Sequence, residues 1–574
     1  MNCKPCLATA LILALAAPVA QAEVAPAHIT GTAHFTDLTI GAAALPQPPE
    51  GKQLTLSVDG VELPLQPGRY AGDVALSVTD DIPVQYLDLP VHHFRSALYV
   101  ENGAPVWSKS IKAVLGRGTA EAGKASKLDI RSHGPNFNGV IVAGEGAYVL
   151  DRPVIDMVGN GGNDFAGYGA AIMATDKAEL TLERPIIRTR GAIRTALFVG
   201  GEATVRVNNA EIETYDGTLP EGYRFTVDLG RMMEVPWMLG VSGNVRASNL
   251  VGNGTLIITN SHIRSQGWGG LSTDIPRKVR MVVKDSLIEL IEAGYGTYSI
   301  GDSHNVFEHS IIRSPEVGGI IGAQGMLTFT DGTRVDAGTY GVMMHSGLGG
   351  GSLVIADGSE LHAGRAAIEV KGVGTTIKVE DARVSSREGI ILQAMENDDP
   401  VMAALMRGEL PEGMTTFPPG LGPDAAAEKE KGPRPSPNVS ASFRGTRLAG
   451  DIWNARFAHG GMILDFEDAT IAGRISTSRA SPVSGVAPDA KTYREVGHVA
   501  NVAVPAGGKP DALVLHLGKG SQWTVTGTSY LTELSLDPQA KISAAKGRLV
   551  MRIDGKPKAI TPGVYRGEIV LDLD

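Results

Sequence analysis

The chain has 574 residues, of which 43% are hydrophobic, 20% charged and only 5% aromatic, with a formal charge of −10. The hydrophobic share can bury a large core and excludes wholesale disorder. The acidic balance argues against nucleic acid, whose phosphates need a basic face, and more weakly against long polyanions. Glycine makes up 72 residues, about 13% against the usual ~7%, which suits tight turns and thin strands better than helical bundles.

The first 22 residues read as an export signal. Lys4 supplies the positive start, Leu7 to Ala17 is an apolar run too short to span a bilayer, and Ala20-Gln21-Ala22 is an A-x-A cleavage site. Cleavage there leaves 51 basic against 62 acidic residues, a net −11. Cys3 and Cys6 precede the apolar run, where a lipoprotein cysteine would follow it. The mature chain is therefore expected to lack disulfides, thiol nucleophiles and Cys-ligated zinc. No later segment reads as a membrane span, so a secreted or periplasmic protein is expected.

Residues 23–125 read as a β module or cap. Within it, VDGVELPLQPGRYAGDVAL (58–76) recurs as IDGKPKAITPGVYRGEIVL (553–571) at a constant offset, with Asp59, Gly60, Pro67, Gly68, Tyr70, Gly72 and Leu76 matching Asp554, Gly555, Pro562, Gly563, Tyr565, Gly567 and Leu571. Asp-Gly between apolar strands signals a hairpin and Pro-Gly another turn. Because the copies bracket the rest of the chain, they are expected to cover its ends, or else to form two small binding modules.

From about residue 126 to 545 the sequence cycles every 22 to 28 residues between alternating apolar segments and corners of Gly, Asn, Asp or Ser. The clearest turns are LTFTDGTRVDAGTYGVMMHSG from Leu327, LVIADGSELHAGRAAIEVKG from Leu353 and IKVEDARVSSREGIILQAM from Ile377. One such coil cannot bury its own inner face, so the array must stack. The expected fold is all-β: a parallel β-helix solenoid with small β elements at both ends. Two stretches interrupt it, about 213–242 and 395–440. The second holds a short helix candidate after Asp398 or Asp399, whose Pro400 suits a first helical position, then a Pro/Gly/Lys/Glu-rich segment. The Asn160, Asn163 and Asp164 cluster (GNGGNDFAG) could offer oxygens to Ca²⁺, although a Gly/Asn turn explains it as well; no other cofactor or metal is expected.

These Gly-corner repeats resemble right-handed parallel β-helix proteins of the pectin-lyase-like fold, and the coils from Ser521 (SQWTVTGTSYLTELSLDPQAKISA) resemble autotransporter passenger domains. The sequence departs from that family's pattern in stopping at Asp574, so a fused membrane barrel is not expected. The resemblance implies a glycan or cell-surface polysaccharide as partner, with polysaccharide lyases, glycoside hydrolases and adhesins all within range.

Aligning coils on the residue that opens one strand places Tyr298 and Glu369 in one outward column and His345, Lys371 and Gln393 in the next, with Asp302 and Gln324 just beyond the strand end. This assembles an acid, a base, a cation and an amide. A lyase needs a base and a positive group for its carbanion, roles open to His345 or Lys371 with Tyr298 as proton donor. An inverting hydrolase needs two carboxylates, for which Glu369, Asp302 and Asp274 are candidates. Gln393 could bond hydroxyls, while Trp268 and Tyr295 could stack on sugar rings. The competing expectation is a non-catalytic adhesin, whose outward positions are an ordinary polar ladder.

Overall fold

A computed structural model describes residues 23–574 apart from 44, 346–349, 412–413, 415–416 and 418–436. The expected signal peptide and most of the Pro/Gly/Lys/Glu-rich stretch lie outside them. The described chain is almost entirely β and winds as a parallel β-helix. One coil runs through strands Lys177–Glu183, Ile186–Arg190 and Leu197–Val199. Each strand pairs in parallel with its counterpart in the next coil, Thr204–Asn208, Glu211–Tyr215 and Arg246–Gly252. Three sheets result, here called first, second and third in chain order.

The corner from first to second sheet shows why these residues fold this way. It turns on one left-handed residue per coil, at Lys127, Arg152 and Arg184 in the first coils and then at Asn209, Asn260, Asp285, His309, Asp331, Asp357, Asp381, Gly445 and Asp468, with φ from +45° to +60°. Asn and Asp tolerate that region better than other side-chain-bearing residues. Stacked hydroxyls line the same corner inside: Ser261, Ser286, Ser310 and Thr333 each accept a backbone N–H from the coil before, at 3.0 to 3.3 Å. Between the sheets runs one continuous apolar core, from Ala97 to Leu571.

The third sheet begins inside the expected N-terminal module, where His92–Glu101 pairs in parallel with Phe137–Ala143. Its outward column reads Tyr298, Ile320, Met343, Glu369, Gln393, Trp453 and Ser476. Tyr298 and Glu369 share a column as expected, but Gln393 does not share one with Lys371 and His345. It stands beside Glu369, because Gly389 (φ +70°) closes a turn in which the Ser386 hydroxyl bonds the N–H and C=O of Ile390. Gly389 thus belongs to the corner, and the strand starts one residue later in a register shifted by two.

The matching end segments fold alike. In both, an aspartate oxygen accepts a backbone N–H 14 residues on, Asp59 from Asp73 and Asp554 from Glu568, each at 2.9 Å. Strand Ala33–Ile40 pairs antiparallel with Gly68–Asp80 as Ser529–Leu536 does with Gly563–Leu573, and both pairs carry a bulge at the same place. The C-terminal unit places Leu531, Leu534, Tyr565, Ile569 and Leu571 in the solenoid core and so closes its end. The N-terminal unit keeps a small core of its own around Leu38, Leu56, Val74 and Leu76.

Candidate functional site

The outer face of the third sheet differs from an open groove. Three segments lie over it: the excursion after Tyr215, the stretch that follows Ala394, and the insertion between strands Ile475–Pro482 and Val499–Ala503. Met232, Val235, Leu239, Val241 and Val496 from these segments form a second apolar core with Ile320, Tyr340 and Met343 of the sheet side. The last insertion escaped sequence reading, although the long interval SPVSGVAPDAKTYREVGH between apolar segments was a signal for it.

Two groups of expected site residues come together beneath this cover. In the first, Trp268 and Tyr295 are buried, and the Tyr295 hydroxyl lies 2.9 Å from that of Ser272. Tyr298 packs beside them as a partly buried neighbour. Asp274 pairs with the fully buried Arg246, which also bonds Asp164 at 2.7 Å. The guanidinium sits between the rings of Phe165 and Trp268, 4.9 and 4.7 Å from their centroids. Burial opposes its charge, but the two carboxylates outweigh burial and raise its pKa. Both indole and phenol faces are occupied by protein, so the expected stacking of sugars on Trp268 and Tyr295 does not fit this arrangement.

In the second group Glu369, Lys371 and Gln393 are likewise buried rather than lining a groove. Gln393 donates to Glu369 at 2.7 Å and to the Gly497 carbonyl at 3.2 Å, and accepts from Asn501 at 2.6 Å. Burial holds the Glu369 carboxyl well above its ordinary pKa, against the opposing pull of Lys371 and Gln393. Lys371 pairs with Asp398 at 2.6 Å, and the other oxygen of Asp398 accepts the Gly497 N–H at 2.8 Å. His345 lies 3.2 Å from Asp399. Asp399 caps the helix Pro400–Met406 by accepting the N–H groups of Val401 and Met402. Burial raises the pKa of Asp399, but His345, the Met402 N–H and the charge of Lys371 outweigh it and the net shift is downward. The expected helix and its cap are therefore present, and they serve to close the sheet.

Asp302 and Gln324 stand exposed at the far corner, apart from both groups. Asn163 caps its own turn, accepting from Phe165 and Ala166, and Asp164 is taken by Arg246. Among the described residues no cluster of three His, Cys, Asp or Glu could hold a metal.

The solvent reaches the covered face at a cleft of about 550 Å³ beside the second group. One wall is Met395–Asp398; the other carries Arg479, Pro482, Glu495, His498 and Val499, with Phe457 between them. His498 lies 2.7 Å from Glu495, and Arg365 pairs with the same carboxylate at 3.0 Å. The His498 contact, ahead of an opposing burial effect and the Arg365 charge, keeps Glu495 below its usual pKa. Asp398 ties both walls together through Lys371 below and Gly497 across. No protein-family model matches the chain, and no curated protein matches it.

Proposed function

We propose that this is an exported β-helix protein that binds a glycan without cleaving it, in the cleft between Met395–Asp398 and Glu495–Val499. The supporting observation is the lining of that cleft. Its apolar surfaces, with the half-buried ring of Phe457, suit a sugar face, and Arg479, Glu495 and His498 offer hydrogen bonds at the rim. Asp398 and Glu495 are offset by Lys371 and Arg365, which leaves Glu396 against Arg479, so the cleft carries no excess cation and favours a neutral sugar over a uronate. Binding rather than cleavage is favoured because Glu369, Lys371 and Gln393 are desolvated and partnered, out of reach of a polymer. Export rests on the pattern of residues 1–22.

A screen on immobilised glycans followed by calorimetry tests this. The intact protein should bind at least one neutral glycan, and Phe457→Ala and Arg479→Ala should each weaken it about tenfold. Parallel assays should find no unsaturated products and no new reducing ends. Absence of binding by folded protein across the panel refutes the glycan reading, and product formation refutes its non-catalytic form.

A further inference from the structure

The second sheet presents a long flat face whose outward residues are exposed or half-buried, with no described segment over it. Two columns of outward positions, set by the parallel register, run along it. One column alternates in charge over eight consecutive strands, from Arg131 through Asp156 to Arg313 and Asp336. Across the same eight strands the other reads Asp129, Val154, Ile186, Glu211, His262, Leu287, Ile311 and Arg334, with apolar pairs at Val154–Ile186 and Leu287–Ile311; beyond them the two columns run on into His362 and Glu360.

An even, alternating ladder read backwards is its own complement. Place a second copy face to face about a two-fold axis parallel to the strands, passing between Glu211–Tyr215 and His262–Ser265. Strand one then faces strand eight. In the first column Arg131 meets Asp336, Asp156 meets Arg313, Arg188 meets Glu289 and Glu213 meets Arg264. Under the same operation the second column places Asp129 against Arg334, Val154 against Ile311, Ile186 against Leu287 and Glu211 against His262. Within these two columns every charged position meets its opposite or a histidine, and every apolar position meets an apolar one; Val158, Arg190 and Tyr215 form a shorter third row beside them. Isologous dimers require such self-complementarity.

We infer that this face is the interface of an antiparallel homodimer, with the occupant a second copy of the chain. Ion pairs within one chain, Arg188–Glu213 at 2.9 Å and Arg264 with Glu213 and Glu289 at 3.1 Å, account for alternation by themselves. They do not account for the mirrored apolar pairs, nor for Val154 and Ile186 standing 40% and 50% exposed. Eight strands at ~4.8 Å make a face roughly 35 Å by 15 Å, which with side-chain relief approaches the ~800 Å² per partner of a standard interface. The inference is independent of the glycan reading.

The test is light scattering on the full chain at about 50 μM, a concentration at which an interface of this size class should be populated. A dimer is expected, and Ile186→Glu should yield monomers with unchanged circular dichroism. In a Cys3→Ser, Cys6→Ser background, Ile186→Cys with Leu287→Cys in one chain should form an intermolecular disulfide on mild oxidation. Either cysteine alone should not, since residue 186 faces 287 of the other copy and its own equivalent lies three strands away. A monomeric wild type overturns the proposal. So does a dimer that persists in Ile186→Glu, or one that cross-links equally through either single cysteine.

Discussion

Glu369 is a carboxyl group whose ionisation the fold opposes. It is fully buried, and burial places its folded pKa well above the usual range. Above the unfolded value near pH 4.3 the unfolded chain has released this proton while the folded chain retains it. Stability contributed here therefore falls as pH rises, by up to about 1.4 kcal/mol per pH unit, until the folded group ionises. Glu369→Gln removes the proton but keeps an oxygen for Gln393. Urea unfolding should show that variant close to wild type near pH 4 and more stable at pH 8; an equal gap at both pH values would refute the linkage. Lys371 is the converse case, a buried cation held by Asp398. Asp398→Ala leaves it unpaired and should cost about 3–5 kcal/mol, measured by the same unfolding curves, while Lys371→Met with Asp398→Ala should recover much of the loss.

Among elements, the corners were the most legible in sequence from residue 209 onward, because a left-handed residue in each coil favours Asn, Asp or Gly by backbone sterics; the earlier coils turn on Lys127, Arg152 and Arg184 and carry no such mark. The helix Pro400–Met406 was legible for the same local reason, an aspartate cap followed by Pro. Asp399→Ala removes that cap and the partner of His345; it should lower the unfolding midpoint by an amount worth about 1–2 kcal/mol, and Asp399→Asn should recover most of it. The register of strand Ile390–Ala394 was not legible. Its glycine looked like a strand opener, and only the hydroxyl of Ser386 on the backbone of Ile390 reveals a turn. The end units show the strength of a repeat as evidence. Gly567 keeps φ at +122°, and a Cβ there would lie 2.9 Å from the Asp554 carboxylate, so Gly567→Ala should destabilise the closing unit by about 1–3 kcal/mol, seen as earlier proteolysis of the C-terminus.

At the scale of the whole molecule, stacking converts a sequence period of about two dozen residues into columns a few ångströms apart. This makes the second sheet's palindromic face possible, since residues spread from 129 to 336 become one flat ladder. The same stacking would have exposed Glu369, Lys371 and Gln393 had nothing crossed the third sheet. Period, corner chemistry and alternation are local or repeating properties, so the chain's own order determined the coil, the inner and outer sides of each strand, and the paired end units. Burial of the outer side depends on where three insertions return in space, and no periodicity records that. The tertiary structure alone decided that a row of outward polar groups would be sealed as an internal network, with an open cleft left beside it.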